Sequence, residues 1–237
     1  MKRLIAYYYE AYYRLLKWYW DKASKGSTIN GVVLMFHHIT NEHLDGVLES
    51  CQHSIAEFEH VIKDYLNQGY IYVSVQEALW MIKEKNKQKF AVVTFDDIPS
   101  DAYEYALPLL QRMQIPFTLF ITTGFLNTND YISEKQLKDI DKSLFCTIGA
   151  HTVTHPNLRS TRNSLEELKK SKEKLEKLLG HPIDYLAYPY GRPSSVSCKV
   201  MHQAKKVGFV CAFGTIQTYL NDISCKLDYY LPRIVKK

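Results

Sequence analysis

The chain's 237 residues are 46% hydrophobic, enough to fill one substantial α/β core or two small ones, which excludes a globally disordered chain. Thirty Lys and Arg against 25 Asp and Glu leave +5, too mild an excess to indicate a nucleic-acid partner. The five cysteines are scattered, odd in number and free of Cys-x-x-Cys pairs, so no disulfide framework is expected; small buried thiols in a reducing compartment fit better.

Residues 1–20 are dense in Tyr and Trp, yet Lys2, Arg3, Glu10, Arg14 and Lys17 interrupt them short of the ~20 apolar residues that a bilayer crossing needs. No small-residue cleavage site follows an apolar run, so no cleavable signal peptide is expected, and the chain is read as cytoplasmic or peripherally membrane-associated. At helical spacing Arg3, Glu10, Arg14, Lys17 and Asp21 share one face, while Leu4, Ile5, Tyr8, Tyr12, Leu15, Leu16 and Tyr19 fill the other. Residues 1–25 therefore predict an amphipathic helix outside the chemistry. Its apolar face has two readings: a peripheral membrane contact, or a cover over the chain's own core or a subunit contact.

Beyond a polar linker at 22–30, short apolar runs alternate with longer amphipathic ones, the grammar of an α/β fold. Strands are expected at 32–36, 70–73, 91–95, 117–121, 147–150, 186–188 and 209–213. Most are too continuously apolar for a sheet with one wet face, so they predict buried parallel strands. Ser54 with Glu57, Ser74 with Glu77, and Ser164 with Glu167 have the spacing of capping boxes at helix starts. Leu165, Leu168, Leu175, Leu178 and Leu179 form an amphipathic stripe closed by Gly180 and Pro182. No linker divides residues 31–237, which read as one domain, either a barrel or a doubly wound sheet. Both place functional groups at the C-terminal ends of strands.

Three clusters sit at such ends. The run 91–95 leads into Asp96-Asp97, adjacent carboxylates that repel unless a cation or proton separates their roles. Pro99 predicts an extended Ile98, and Ser100 and Asp101 are free for capping. The run 147–150 leads into His151-Thr-Val-Thr-His155, two imidazoles at a spacing that lets both reach one ion. A carboxylate from a neighbouring strand would complete a three-ligand set with room for water and substrate. The run 186–188 ends in Tyr188-Pro189-Tyr190-Gly191-Arg192-Pro193, a turn that offers a backbone N–H and an aromatic wall.

Taken in order, Thr94-Phe95-Asp96-Asp97, His151 to His155 and Tyr188 to Gly191 resemble the three motifs of the polysaccharide deacetylase family, also called carbohydrate esterase family 4 or the NodB-type domain. Ala106 to Leu110, Ile115 to Phe120 and Phe36-His37-His38-Ile39 extend the likeness over about 31–235. The last of these looks like a motif of the branch acting on poly-N-acetylglucosamine and other exopolysaccharides. The resemblance implies a distorted (β/α)7 barrel and removal of acetyl groups from N-acetylated sugars, with O-acetylated glycans as the alternative substrate. It also implies a divalent metal ion, zinc being expected, on Asp97, His151 and His155, with Asp96 as catalytic base. The Tyr190 N–H would serve the oxyanion, and Pro189 and Tyr190 would wall the substrate.

Three departures shape the expectation. Ile98 stands where the family has Gly, so a left-handed backbone would be costly there and the loop is expected to run differently. Ala187 replaces an Arg that steadies the base, and Arg233 in Leu231-Pro232-Arg233-Ile234 is the expected substitute. No histidine follows His202, so the usual late general acid is missing. His37 at the end of the first strand, chargeable near neutral pH, is expected in that role, with His38 the choice if the register shifts by one. The rival reading is a pseudoenzyme that binds carbohydrate without turnover.

Overall fold

The computed structural model describes residues 2–236. Helix α1 (Lys2–Ser24) precedes β1 (Gly31–Phe36), the short β2 (His38–Ile39) and β3 (Gln52–His53), α2 (Ile55–Asn67), β4 (Ile71–Tyr72), α3 (Val75–Lys83) and β5 (Phe90–Asp96). Then follow α4 (Leu107–Arg112), β6 (Phe117–Ile121), α5 (Glu134–Ile140), β7 (Cys146–Ala150), α6 (Ser164–Leu179), β8 (Tyr185–Ala187), α7 (Cys198–Val207) and β9 (Cys211–Phe213). Each of the seven expected strand positions holds a strand. Apart from the β2–β3 ladder the strands form one parallel sheet in the order β1-β5-β6-β7-β8-β9, with β4 paired to the start of β5. Its closure is irregular. Leu231 bridges to Phe213 on β9 and Ile234 bridges to Leu34 on β1, so the C-terminal segment fills the gap and the result is a distorted α/β barrel.

Strand alternation sorts the core into two shells. Val33, Val92, Phe120, Ala187, Phe213 and Leu231 meet in one cluster. Their strand neighbours Leu34, Val93, Leu119, Leu186 and Ala212 join a larger one with Phe58, Leu110, Leu168 and Val200 from the helices. The first cluster is the barrel interior, and Gly149 belongs there because a Cβ at that position would lie 2.5 Å from the Phe120 ring. Continued toward the C-terminal strand ends, the same parity brings His37, Asp96 and Arg233 inward.

The helix starts partly match expectation. Ser54–Glu57 and Ser74–Glu77 are capping boxes, and Ser133 forms a third with Gln136. Ser164 does not cap α6; its hydroxyl donates to Gln203, and Glu167 is used elsewhere. Gly180, at φ +81°, ends α6 as expected.

Helix α1 has two apolar faces rather than one. Trp20, 1% exposed, and Tyr13 are buried in the core, with Leu16 packed beside them, while most of the apolar face read from the sequence is open to solvent. Polar contacts pin the inner face: Asn221 Nδ2 donates to the Trp20 carbonyl at 3.1 Å, Thr218 to Asp21 at 2.6 Å, and the Gln217 N–H to the Tyr13 hydroxyl at 3.2 Å. No described helix is long and apolar enough to cross a membrane. Cys211 is buried and Cys198 exposed; the Cys225 side chain lies outside the described residues.

Candidate active site

A cavity of about 1040 Å³ opens where β1, β5, β7 and β8 end, and His37, Asp96, Asp97, His151, His155 and Tyr190 all line it. Asp96 closes β5 and is buried. Arg233, 0% exposed, grips it in a fork, Nη1 donating to Oδ1 at 2.6 Å and Nη2 to Oδ2 at 2.7 Å. The guanidinium also donates to the Gly214 carbonyl at 3.1 Å and to Thr94 Oγ1 at 3.3 Å. Burial alone would raise the Asp96 pKa, but the charge and hydrogen bonds of Arg233 outweigh it and hold the carboxyl well below the usual carboxylate range. Each carboxylate oxygen keeps one acceptor site beyond the fork.

Asp97 turns sharply away, at φ +63°, with its N–H on the Phe120 carbonyl and Oδ1 accepting from Thr122 Oγ1. Its donor atom and those of His151 and His155 all lie within 4.8 Å of one another. The His151 Nδ1 is 2.7 Å from the Ala187 carbonyl, which can only accept, so Nδ1 is a donor and Nε2 is the ring nitrogen left to offer a ligand atom. This donor set fits a divalent cation: two imidazoles and a carboxylate, with second partners fixing Asp97 and His151.

Ile98 overturns the sequence expectation. It stands at φ +57°, left-handed rather than extended, and its side chain is fully buried in the core cluster. Apolar burial holds a β-branched residue in the left-handed region that Pro99 and the Cβ both disfavour. Thr152 (φ +71°), His155 (φ +55°) and Tyr190 (φ +60°) share that strained region around the cavity.

His37 follows the interior parity of β1, and its buried Nδ1 has no hydrogen-bond partner among the described residues. Burial pushes its pKa down more than Asp96 and Asp97 raise it, so the resting ring is neutral near pH 7 rather than charged. His38 is tied to Asp101 at 2.7 Å, and Asp101 also takes the Ile39 N–H instead of capping a helix. Pro189 precedes Tyr190, whose half-exposed ring stands 4.8 Å from the His155 ring, centroid to centroid.

Sequence reading missed three supporting side chains. Glu167 accepts the N–H groups of Val153 and Thr154 at 2.9 Å and the Thr154 hydroxyl, so it clamps the histidine loop. Its capping-box spacing hid that use. Thr122 and Asp101 are polar residues just past apolar or acidic runs, a signal that was available.

The sequence matches the polysaccharide deacetylase family over residues 83–211. A poly-beta-1,6-N-acetyl-D-glucosamine N-deacetylase of Staphylococcus aureus is 30% identical over 198 residues, 77% of this chain and 67% of the relative. The crystal structure of a polysaccharide deacetylase from Bacillus cereus matches with a TM-score of 0.74 at 28% identity, over 86% of this chain and 64% of that one. IcaB from Ammonifex degensii shares the fold with a TM-score of 0.75 at 24% identity, over 88% and 92% of the two chains. The chain thus spans about two thirds of the length of the Staphylococcus and Bacillus relatives. The span matched to the family holds Asp96, Asp97, His151, His155 and Tyr190 on one cavity, and the chain belongs to the polysaccharide deacetylase family.

Proposed function

We propose that this chain is a metal-dependent N-deacetylase acting on an N-acetylated polysaccharide of the poly-N-acetylglucosamine type. The observation that carries the reading is one cavity in which the Arg233-clamped Asp96 adjoins the Asp97, His151 and His155 donor set. The Staphylococcus relative's name supports the substrate class. Asp97, His151 and His155 would hold the ion, zinc by the nature of these donors. When bound, a divalent cation supplies Lewis acidity to a carbonyl and eases deprotonation of a water.

The remaining steps belong to the chain's own groups. Asp96 takes a proton from the attacking water through an acceptor site outside the arginine fork; the clamp fixes its aim at the expense of its basicity. The Tyr190 N–H faces the developing oxyanion, and the Tyr190 ring and Pro189 wall the sugar. His37 delivers a proton to the departing amine, which cannot leave as an anion. Burial keeps the resting ring neutral, so the proton it hands to the amine is the one Asp96 has taken from the water, which returns Asp96 to its carboxylate form.

Acetate release from N-acetylglucosamine oligomers, with metal content measured on the same samples, tests the assignment. Asp97→Asn and His151→Ala should lose stoichiometric metal. Asp96→Asn should keep it and lose on the order of 10²–10⁴ in rate. Full metal content in folded Asp97→Asn, or near wild-type release by Asp96→Asn, overturns the roles. Release from O-acetylated oligomers alone overturns the amide specificity.

A further inference from the structure

We propose that the outer face of α1 docks the protein on an anionic lipid surface. Leu4, Tyr8, Tyr12, Leu15 and Tyr19 recur at helical spacing along that face, each between 39% and 76% exposed, and Trp18 stands beside them at 57%. Tyr8 and Tyr12 stack with ring centroids 6.4 Å apart. The helix buries a different stripe, Tyr13, Leu16 and Trp20, in the barrel, so the outer stripe is not needed to hold α1 in place.

Charge selects the occupant. Residues 1–25 contain six Lys and Arg against two Asp and Glu, a net +4 that accounts for most of the chain's +5. Both acids are also engaged: Glu10 pairs with Arg14 and Arg192 at 3.4 Å, and Asp21 with Lys17 and Thr218. Interspersed Tyr, Trp and Leu in a segment of net basic charge suit the headgroup boundary of an anionic bilayer, where aromatic rings and cations both find partners. A second copy of this segment would set one net-basic helix against another, which opposes self-association. The inner face meets Arg192 and Gln217, both cavity-lining, through Glu10 and Tyr13. Lipid docking would therefore hold the cavity rim about one helix diameter, ~10–12 Å, from the membrane.

The test is flotation of the whole protein with phosphatidylcholine vesicles with and without phosphatidylglycerol. Binding to the anionic vesicles is expected to exceed binding to the neutral ones at least tenfold and to weaken with salt. Tyr8→Ser/Leu15→Ser/Tyr19→Ser should cut it at least tenfold with the unfolding temperature and acetate release unchanged, since these side chains are solvent-exposed. Brominated lipid should quench the wild-type tryptophan fluorescence and fail to quench Trp18→Phe, a readout that needs no disruptive variant. Absence of binding to either vesicle overturns the proposal. So does binding indifferent to these substitutions, or an outer face that serves a dimer or retains an oligosaccharide while ignoring lipid. Loss of deacetylation in Asp96→Asn with vesicle binding intact would leave this proposal standing, so the two readings fail separately.

Discussion

Arg233 reaches Asp96 across 137 residues of sequence and supplies what Ala187 cannot. Because its charge is a main reason the Asp96 carboxyl sits low, Arg233→Met should raise that pKa toward the ordinary value near 4. The sign follows: catalysis needs the carboxylate, so the acid limb of the pH profile of kcat/KM should move to higher pH, with the plateau down roughly 10²-fold. An unmoved limb would show that the arginine only packs. Ile98 sets two residue-scale effects against each other. Its left-handed backbone costs about 1–2 kcal/mol, whereas losing a fully buried isoleucine side chain costs about 2–5 kcal/mol. Burial wins, so Ile98→Gly should destabilise the fold by roughly 1–3 kcal/mol in denaturant unfolding despite relieving the strain. A more stable glycine variant would mean that strain dominates.

At the scale of elements, the histidine loop is held by a helix that contributes no predicted ligand. Glu167 of α6 gathers two N–H groups and a hydroxyl from residues 153 and 154, between the left-handed Thr152 and His155. Such partners of ligand-bearing segments typically contribute 10–100-fold to metal affinity. Glu167→Gln, which cannot satisfy all three donors, should weaken metal binding about tenfold in chelator competition while the protein stays folded; unchanged affinity with a lower unfolding temperature would make the clamp purely structural. The strands and two of the three suspected capping boxes were legible because apolar periodicity and cap spacing are local signals. The strand ends were legible for the same reason, and with them Asp96, Asp97 and the two histidines. Glu167 was misread because one carboxylate spacing serves two uses and only tertiary contact decides between them. The left-handed Ile98 was misread because local sterics oppose it and distant core packing overrides them.

The whole molecule closes its barrel with residues that form no regular strand, and α1 braces that closure. The Tyr13 hydroxyl holds the Gln217 backbone, the Gln217 side chain accepts the Val235 N–H at 2.9 Å, and two residues earlier Arg233 grips Asp96. A path of hydrogen bonds and chain thus runs from the helix to the proposed base. The expectation that α1 stands outside the chemistry gives way to a different one. Deleting residues 1–25 removes Trp20 from the core and strips the fully buried Asn221 of its bonds to the Trp20 carbonyl and Ser24. Loss of a buried tryptophan alone costs about 3–5 kcal/mol, which for a domain of this size lowers the unfolding temperature by roughly 6–20 °C. The truncated chain should show at least that drop, and acetate release should fall with it even on a short soluble oligomer as Arg192 and Gln217 lose their support. Trp20→Ala should reproduce most of the thermal loss, whereas the outer-face substitutions should reproduce none of it. A truncated chain with an unchanged unfolding temperature and full activity would make α1 an appendage that the barrel and its catalytic clamp do not need.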